Sequence, residues 1–196
     1  MSNISENELI KAAMSGDQSA LAKLVQEYSP KIYNLALRIM RNEEDAEDVL
    51  QETFLIMVKK LPSFRGDSSL YTWLYRIGTN IALGKLREKK HLDTQIAVDG
   101  PEFDNLRGLG IADWPEHLEE EFDNQAFQEC LKHAMNDLPD HYRAVFVLRD
   151  LENLSTRESA KILGITEANV KVRLMRARLY LRDQIAFHLK CTEFKP

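Results

Sequence analysis

A chain of 196 residues, 44% hydrophobic and 29% charged, has the balance of an ordinary globular protein and room for one medium domain or two small ones. It contains no apolar run near the roughly 20 residues that span a bilayer, and residues 1–11 are polar and acidic, unlike a signal peptide, so a cytoplasmic protein is expected. The net charge of −5 argues at first against nucleic acid. Its distribution reverses that: residues 91–125 hold ten acidic groups and one base, Arg107, which leaves the remainder at +4.

Leu21, Leu24, Val25 and Tyr28 fall at helical spacing. Ser29-Pro30 predicts a restart, serine as N-cap and proline in the first turn. The helix that follows has Ile32, Leu35, Ala36 and Ile39 on its inner face. Asn42 with Glu43, Glu44 and Asp45 opens another helix, its acidic groups at the positive end of the dipole. That helix is expected to bury Ala46, Val49, Leu50, Phe54, Met57 and Leu61. Asp45, Asp48, Gln51 and Glu52 stand on its exposed side beside Phe54 and Leu55. Such a face is either solvated or a docking surface for a partner helix.

Leu61-Pro62-Ser63-Phe64-Arg65-Gly66-Asp67 predicts a loop, with Asp67, Ser68 or Ser69 capping a last helix toward Lys90. Residues 64–80 are dense in aromatics, and Lys85, Arg87, Lys89 and Lys90 follow. Aromatics stack on unpaired bases, cations track the backbone, and Asn80 suits a base edge. Trp73, Leu74 and Ile77, three and four residues apart, are expected as core.

Glycine and proline gather at Asp99-Gly100-Pro101, Gly108-Leu109-Gly110 and Trp114-Pro115. Residues 91–122 therefore read as an acidic flexible linker between a block at 5–90 and one at 123–190. Cys130 and Cys191 sit in no paired motif and are expected as reduced thiols. His117, Cys130 and His133 match no zinc spacing. No metal and no cofactor are expected.

In the last block Phe127, Leu131 and Ala134 begin a helix, Leu138-Pro139 marks a turn, and Tyr142, Val145, Phe146 and Leu148 build the next face. The sharpest signal is Leu154-Ser-Thr-Arg-Glu-Ser-Ala-Lys-Ile-Leu-Gly-Ile-Thr-Glu-Ala-Asn-Val-Lys-Val-Arg-Leu174. Ser155 with Glu158 forms a capping box. Ala160 is small where a second helix must cross, and Gly164 suits the left-handed helix end. Ile165 plugs the turn, Thr166 caps the second helix, and Val170 and Leu174 face the core. This is helix-turn-helix spacing. The second helix carries Lys171, Arg173, Arg176, Arg178 and Arg182, opposed by Glu167 at its start, which suits the major groove of DNA. The expected fold is all-α: two small helical domains joined by the linker.

These motifs resemble a known family. Asp45-Ala-Glu-Asp-Val-Leu-Gln-Glu-Thr-Phe54 resembles the polymerase-clamp-binding helix of sigma-70-type sigma factors. The segment from Phe64 through Ile77, with Asn80, resembles their promoter-melting and −10-reading region. The segment from Leu138 through Leu151, with the helix-turn-helix, resembles their −35-reading domain. Three motifs in order, with the family's third domain missing, resemble the small extracytoplasmic-function (ECF) class. The resemblance implies that Asp48, Gln51, Glu52 and Leu55 face the clamp coiled coil in the largest subunit of core RNA polymerase. It implies that Phe64, Arg65, Asn80, Lys85 and Arg87 contact the −10 element of promoter DNA. It assigns Arg149, Thr156, Arg157, Lys171, Val172, Arg173, Met175 and Arg176 to the −35 element. Val172 and Met175 are apolar where the family often has polar or aromatic residues, so DNA shape can matter more there. By the same analogy the linker threads toward the polymerase cleft, catalysis belongs to polymerase alone, and an anti-sigma factor holds the protein inactive, in the cytoplasm or at the inner membrane. A helix-turn-helix repressor with a sensor domain would leave the Asp45 helix unexplained. A hydrolase using Asp45, Asp48 and Glu52 would lack a second acidic helix.

Overall fold

The computed structural model describes residues 5–92 and 125–193, all helix and connecting turns, with no strand among them. The linker expected at 91–122 lies outside the described residues apart from its first two, which end a helix; His117 lies outside them too.

The first unit has four helices. α1 (Glu6–Met14) starts at a capping box in which Ser5 and Glu8 satisfy each other's backbone N–H groups. α2 (Gln18–Met40) begins at Asp17, whose carboxylate accepts from Ser19 and Ala20 N–H. α3 (Glu43–Lys60) begins at Asn42, whose side chain accepts from Asp45 N–H at 2.9 Å. A 3-10 turn (Leu61–Ser63) follows it. α4 (Leu70–Leu92) is capped by Ser69, which accepts from Thr72 N–H at 3.1 Å. α2 is the hub and packs on α1, α3 and α4, and α3 also packs on α4.

The predicted restart at Ser29-Pro30 does not occur: α2 runs straight through Pro30. A mid-helix proline forfeits one hydrogen bond and costs about 3 kcal/mol. Leu24, Tyr28, Ile32, Leu35 and Ile39, almost fully buried on both sides of it, each return about 1.5–3 kcal/mol. The helix instead ends at Arg41, left-handed at φ 62°, whose N–H donates to the Leu37 carbonyl.

The inner stripe of α3 is also shifted from the sequence expectation. Ala46, Val49 and Met57 are buried with Leu61 as expected, but Thr53 takes the place of Leu50 and Phe54, which are half-buried. Thr53 satisfies its hydroxyl on the Val49 carbonyl at 2.7 Å. Gly78 of α4 lies opposite: a Cβ there would sit 3.4 Å from Thr53 Oγ1, 3.7 Å from Ile32 Cγ2 and 3.8 Å from Leu35 Cδ2. Those are ordinary contacts, so Gly78→Ala is expected to stabilise the first unit by about 0.5–1 kcal/mol through helix propensity. Gly78→Leu is expected to cost about 1–3 kcal/mol by overpacking. Thermal unfolding of the two variants, moving in opposite directions, checks the fit. Of the three α4 residues expected as core, only Leu74 is fully buried; Trp73 and Ile77 are half-buried.

The second unit comprises α5 (Gln125–Asp137), α6 (Asp140–Phe146), a π turn (Val147–Leu151), α7 (Thr156–Leu163) and α8 (Glu167–Glu193). Pro139 starts α6, its carbonyl accepting from Tyr142 and Arg143 N–H at 2.9 Å. Residues 142–148 are all buried, so the apolar run is the centre of a helical unit. α5 and α6 both pack on α8. Arg143 is a charged side chain in this core, wholly buried. Its guanidinium donates to the Leu138 carbonyl at 2.7 Å, to the Met135 carbonyl at 3.4 Å, and to the Asp140 carboxylate. It thereby closes the end of α5, whose last carbonyls have no helical donor.

Candidate functional site

Three surfaces carry the chemistry. The first is the outer face of α3. Asp48, Gln51, Glu52 and Leu55 are exposed there, as their spacing predicts. Leu55 is 60% exposed and Val58, one turn on, 47%. Val58 extends the face and was legible from its i+3 relation to Leu55. The result is an apolar strip flanked by carboxylates, the form expected of a surface that docks a basic, amphipathic helix.

The same carboxylates are engaged from α4. Lys85 Nζ lies 2.8 Å from Glu52 and 3.3 Å from Asp48, and Lys89 Nζ lies 2.6 Å from Asp45. The Glu52 hydrogen bond, ahead of that to Asp48, raises the Lys85 pKa against a smaller opposing effect of burial. A raised lysine pKa means that the pair is fully formed below the ordinary lysine range and is lost as pH climbs above it.

The second surface is the turn and helix that follow. Phe64, held by its N–H to the Leu61 carbonyl at 2.9 Å, sets its ring 5.1 Å from that of Trp73 at 47°. Arg65 and Asn80 are exposed, as is Arg76 one turn before Asn80. Arg87 is exposed, with Nε on the Leu83 carbonyl at 3.1 Å. Asn80 and Arg87 thus share one side of α4, about 10 Å apart along its axis. Lys85 is not with them: its head group is turned to α3.

The third surface is the helix-turn-helix. Ser155 and Glu158 form the expected capping box, with Glu158 N–H to Ser155 Oγ at 3.1 Å and Ser155 N–H to the Glu158 carboxylate at 2.9 Å. Gly164 is left-handed at φ 66°, and Ile165 N–H closes the turn on the Ala160 carbonyl at 3.1 Å. Thr166 Oγ1 caps α8 by accepting from Asn169 N–H at 3.2 Å. Val170 and Leu174 are buried. That register turns Lys171, Val172 and Met175 outward, the last two 44% and 41% exposed, with Arg173 and Arg176 half-buried beside them. On α7, Arg157 is exposed and Thr156 half-buried.

Three arginines differ from the expectation. Arg149 donates through Nη1 to the Leu154 carbonyl and buries Nε without a hydrogen-bond partner, so it braces the turn before α7. Arg178 makes a two-pronged bond to Asp150, at 2.8 and 2.6 Å. Arg182 pairs with Asp183 at 2.9 Å, so Glu167 is not the only acid opposing the basic residues of α8. Lys171, Arg173 and Arg176 lie on α8 N-terminal to these two paired arginines.

Comparison with known proteins follows the same division. Residues 24–91 match the family model for sigma-70 region 2, and residues 128–181 that for sigma-70 region 4. The chain is 38% identical over 183 residues to the ECF RNA polymerase sigma factor SigW of Bacillus subtilis (strain 168), covering 90% of this chain and 94% of that one. It is 32% identical over 182 residues to the ECF RNA polymerase sigma-E factor of Escherichia coli (strain K12), covering 93% and 95%. Among solved structures it resembles CnrH in complex with the cytosolic domain of CnrY, with a TM-score of 0.60 and 25% identity over 91% of this chain and 95% of that one. The fold is shared with the sigma factor RpoE of Bartonella quintana in complex with the anti-sigma factor NepR, with a TM-score of 0.59 and 23% identity over 84% and 96%. The chain belongs to the sigma-70 family as an ECF RNA polymerase sigma factor, a factor for promoter-directed transcription initiation.

Proposed function

We propose that this sigma factor docks on core RNA polymerase through the outer face of α3 and presents two DNA-reading surfaces, one on each helical unit. The observation that carries the reading is α3 itself: Asp48, Gln51, Glu52, Leu55 and Val58 form an exposed acidic and apolar strip on a capped helix. The clamp coiled coil of the largest polymerase subunit is the proposed partner. Phe64, Arg65, Asn80 and Arg87 then meet the −10 element, the Phe64–Trp73 ring pair offering an apolar wall to an unstacked base. Lys85 joins them only by leaving Glu52 and Asp48, so docking and its release are linked. Thr156, Arg157, Lys171, Val172, Arg173, Met175 and Arg176 form the −35 surface, with Arg149 supporting it from the turn.

The chain needs no cofactor in this reading, and polymerase performs the chemistry. The same α3 face and α8 suit an anti-sigma factor, the class of partner bound in the RpoE structure from Bartonella quintana. A cytoplasmic location, with retention at the inner membrane by such a partner, is part of the proposal; among the described residues no helix is long and apolar enough to cross a membrane.

Arg176→Ala is expected to cost the holoenzyme about 1–3 kcal/mol at the −35 element if Arg176 reads a base. A salt titration separates the two kinds of contact: loss of a phosphate contact lowers the slope by about one unit, while loss of a base contact leaves it unchanged and relaxes specificity at one base pair. Unchanged affinity and specificity in Arg176→Ala would remove Arg176 from the −35 surface.

A further inference from the structure

We propose that Tyr142 is a positioning residue for promoter reading: from the core of the second unit, its hydroxyl holds the Arg176 guanidinium in place on α8. The inference rests on α8 being the −35-reading helix and on Arg176 reading a base there.

Tyr142 is 5% exposed, on α6, with its ring packed away from solvent. A buried phenol needs a partner for its oxygen. Arg176 Nη1 supplies one, donating to Tyr142 Oη at 3.1 Å across 34 residues of chain. Arg176 itself is half-buried, so its stem lies against the unit and its head is steered from behind. Two residues on, Arg178 is gripped by Asp150, whose carboxylate is only 4% exposed. Two arginines of one helix are thus tied to two different points of the segment 140–151. Those ties act with the burial of Val170 and Leu174 to set the rotation of α8 about its axis, which leaves Lys171, Val172 and Met175 facing outward. A long arginine side chain loses much rotamer freedom when it binds, and a guanidinium already oriented loses less. Tyr142 therefore acts through Arg176 and does not touch DNA.

The test uses the full chain assembled with core polymerase, on a promoter and on a panel carrying each −35 base pair substituted in turn. Tyr142→Phe removes one oxygen and keeps the ring. It is expected to lower −35-dependent transcription roughly tenfold and to flatten discrimination at the same base pairs as Arg176→Ala. The double variant is expected to be no worse than Arg176→Ala alone. Arg176→Lys keeps the cation without the guanidinium geometry and is expected to reproduce the loss of discrimination in a chain whose Tyr142 is intact. If Tyr142→Phe lowers all promoters evenly, adds fully to Arg176→Ala and merely reduces the melting temperature, its role is packing and the proposal fails. If it matches the wild type while the wild type depends on the −35 sequence, the proposal fails alone. A wild-type holoenzyme indifferent to every −35 substitution overturns the reading of α8 as well.

Discussion

Arg143→Met is expected to destabilise the second unit by about 3–5 kcal/mol and leave the first unit folded. The side chain is wholly buried, and its loss removes the donor that the Leu138 carbonyl and the Asp140 carboxylate share. Breaking a hydrogen-bonded ion pair whose cation is buried is costly from that side because the buried acceptors lose their charged donor, even though the Asp140 side chain keeps some contact with water at 15% exposure. Against a typical domain stability of about 5–15 kcal/mol, that removes a large share. Arg143→Lys is expected to fall between, since an ammonium cannot span two carbonyls and a carboxylate in one plane. Hydrogen exchange resolved along the sequence checks the claim: protection should drop across 128–185 and persist across 20–86. Equal protection in both units would show that Arg143 contributes little to the core.

Asp48→Arg is expected to weaken binding to core polymerase by about 3 kcal/mol, roughly a hundredfold in Kd, without unfolding the chain. The Asp48 side chain is 56% exposed, so the substitution strikes no core contact. It places a cation where the proposed partner is basic, and it sets that cation beside Lys85, whose other partner, Glu52, remains. Asp48→Asn, which deletes the charge without reversing it, is expected to cost less. Titration of labelled chain with core polymerase at two salt concentrations reads both variants. The Asp48→Arg defect should shrink as salt rises if it is electrostatic. A defect independent of salt would point to altered structure.

Much of this was legible in the sequence where local chemistry decides the outcome. The helix-turn-helix could be read because Ser155, Glu158, Gly164 and Thr166 each do a job defined within four residues. Asn42 and the acidic first turn of α3 were readable for the same reason. The exposed strip of α3 followed from periodicity. What the sequence hid was decided by distant contacts. Ser29-Pro30 carries every local sign of a helix start, yet burial on both sides joins it into one helix. Thr53 outranks Leu50 and Phe54 as a core residue because Gly78, 25 positions away, offers little depth. Lys85 looks like a DNA contact from its basic neighbours, and only the packing of α4 on α3 reveals its carboxylate partners. Arg178 looks like part of the cationic face until Asp150 is found beneath it. Arg143 has no periodic signature at all, because a buried arginine is explained by the carbonyls it meets.

We propose that the acidic segment at 91–122 links the two blocks at 5–90 and 123–190.

The most direct test is runoff transcription by purified core polymerase on a library of randomised promoters, with and without this chain, and with Asp48→Arg in parallel. The account requires transcripts that start at defined positions, that share one upstream pair of sequence elements, that appear only when the wild-type chain is present, and that fade with Asp48→Arg. Core polymerase whose start sites and sequence preferences are the same with and without the chain would contradict it.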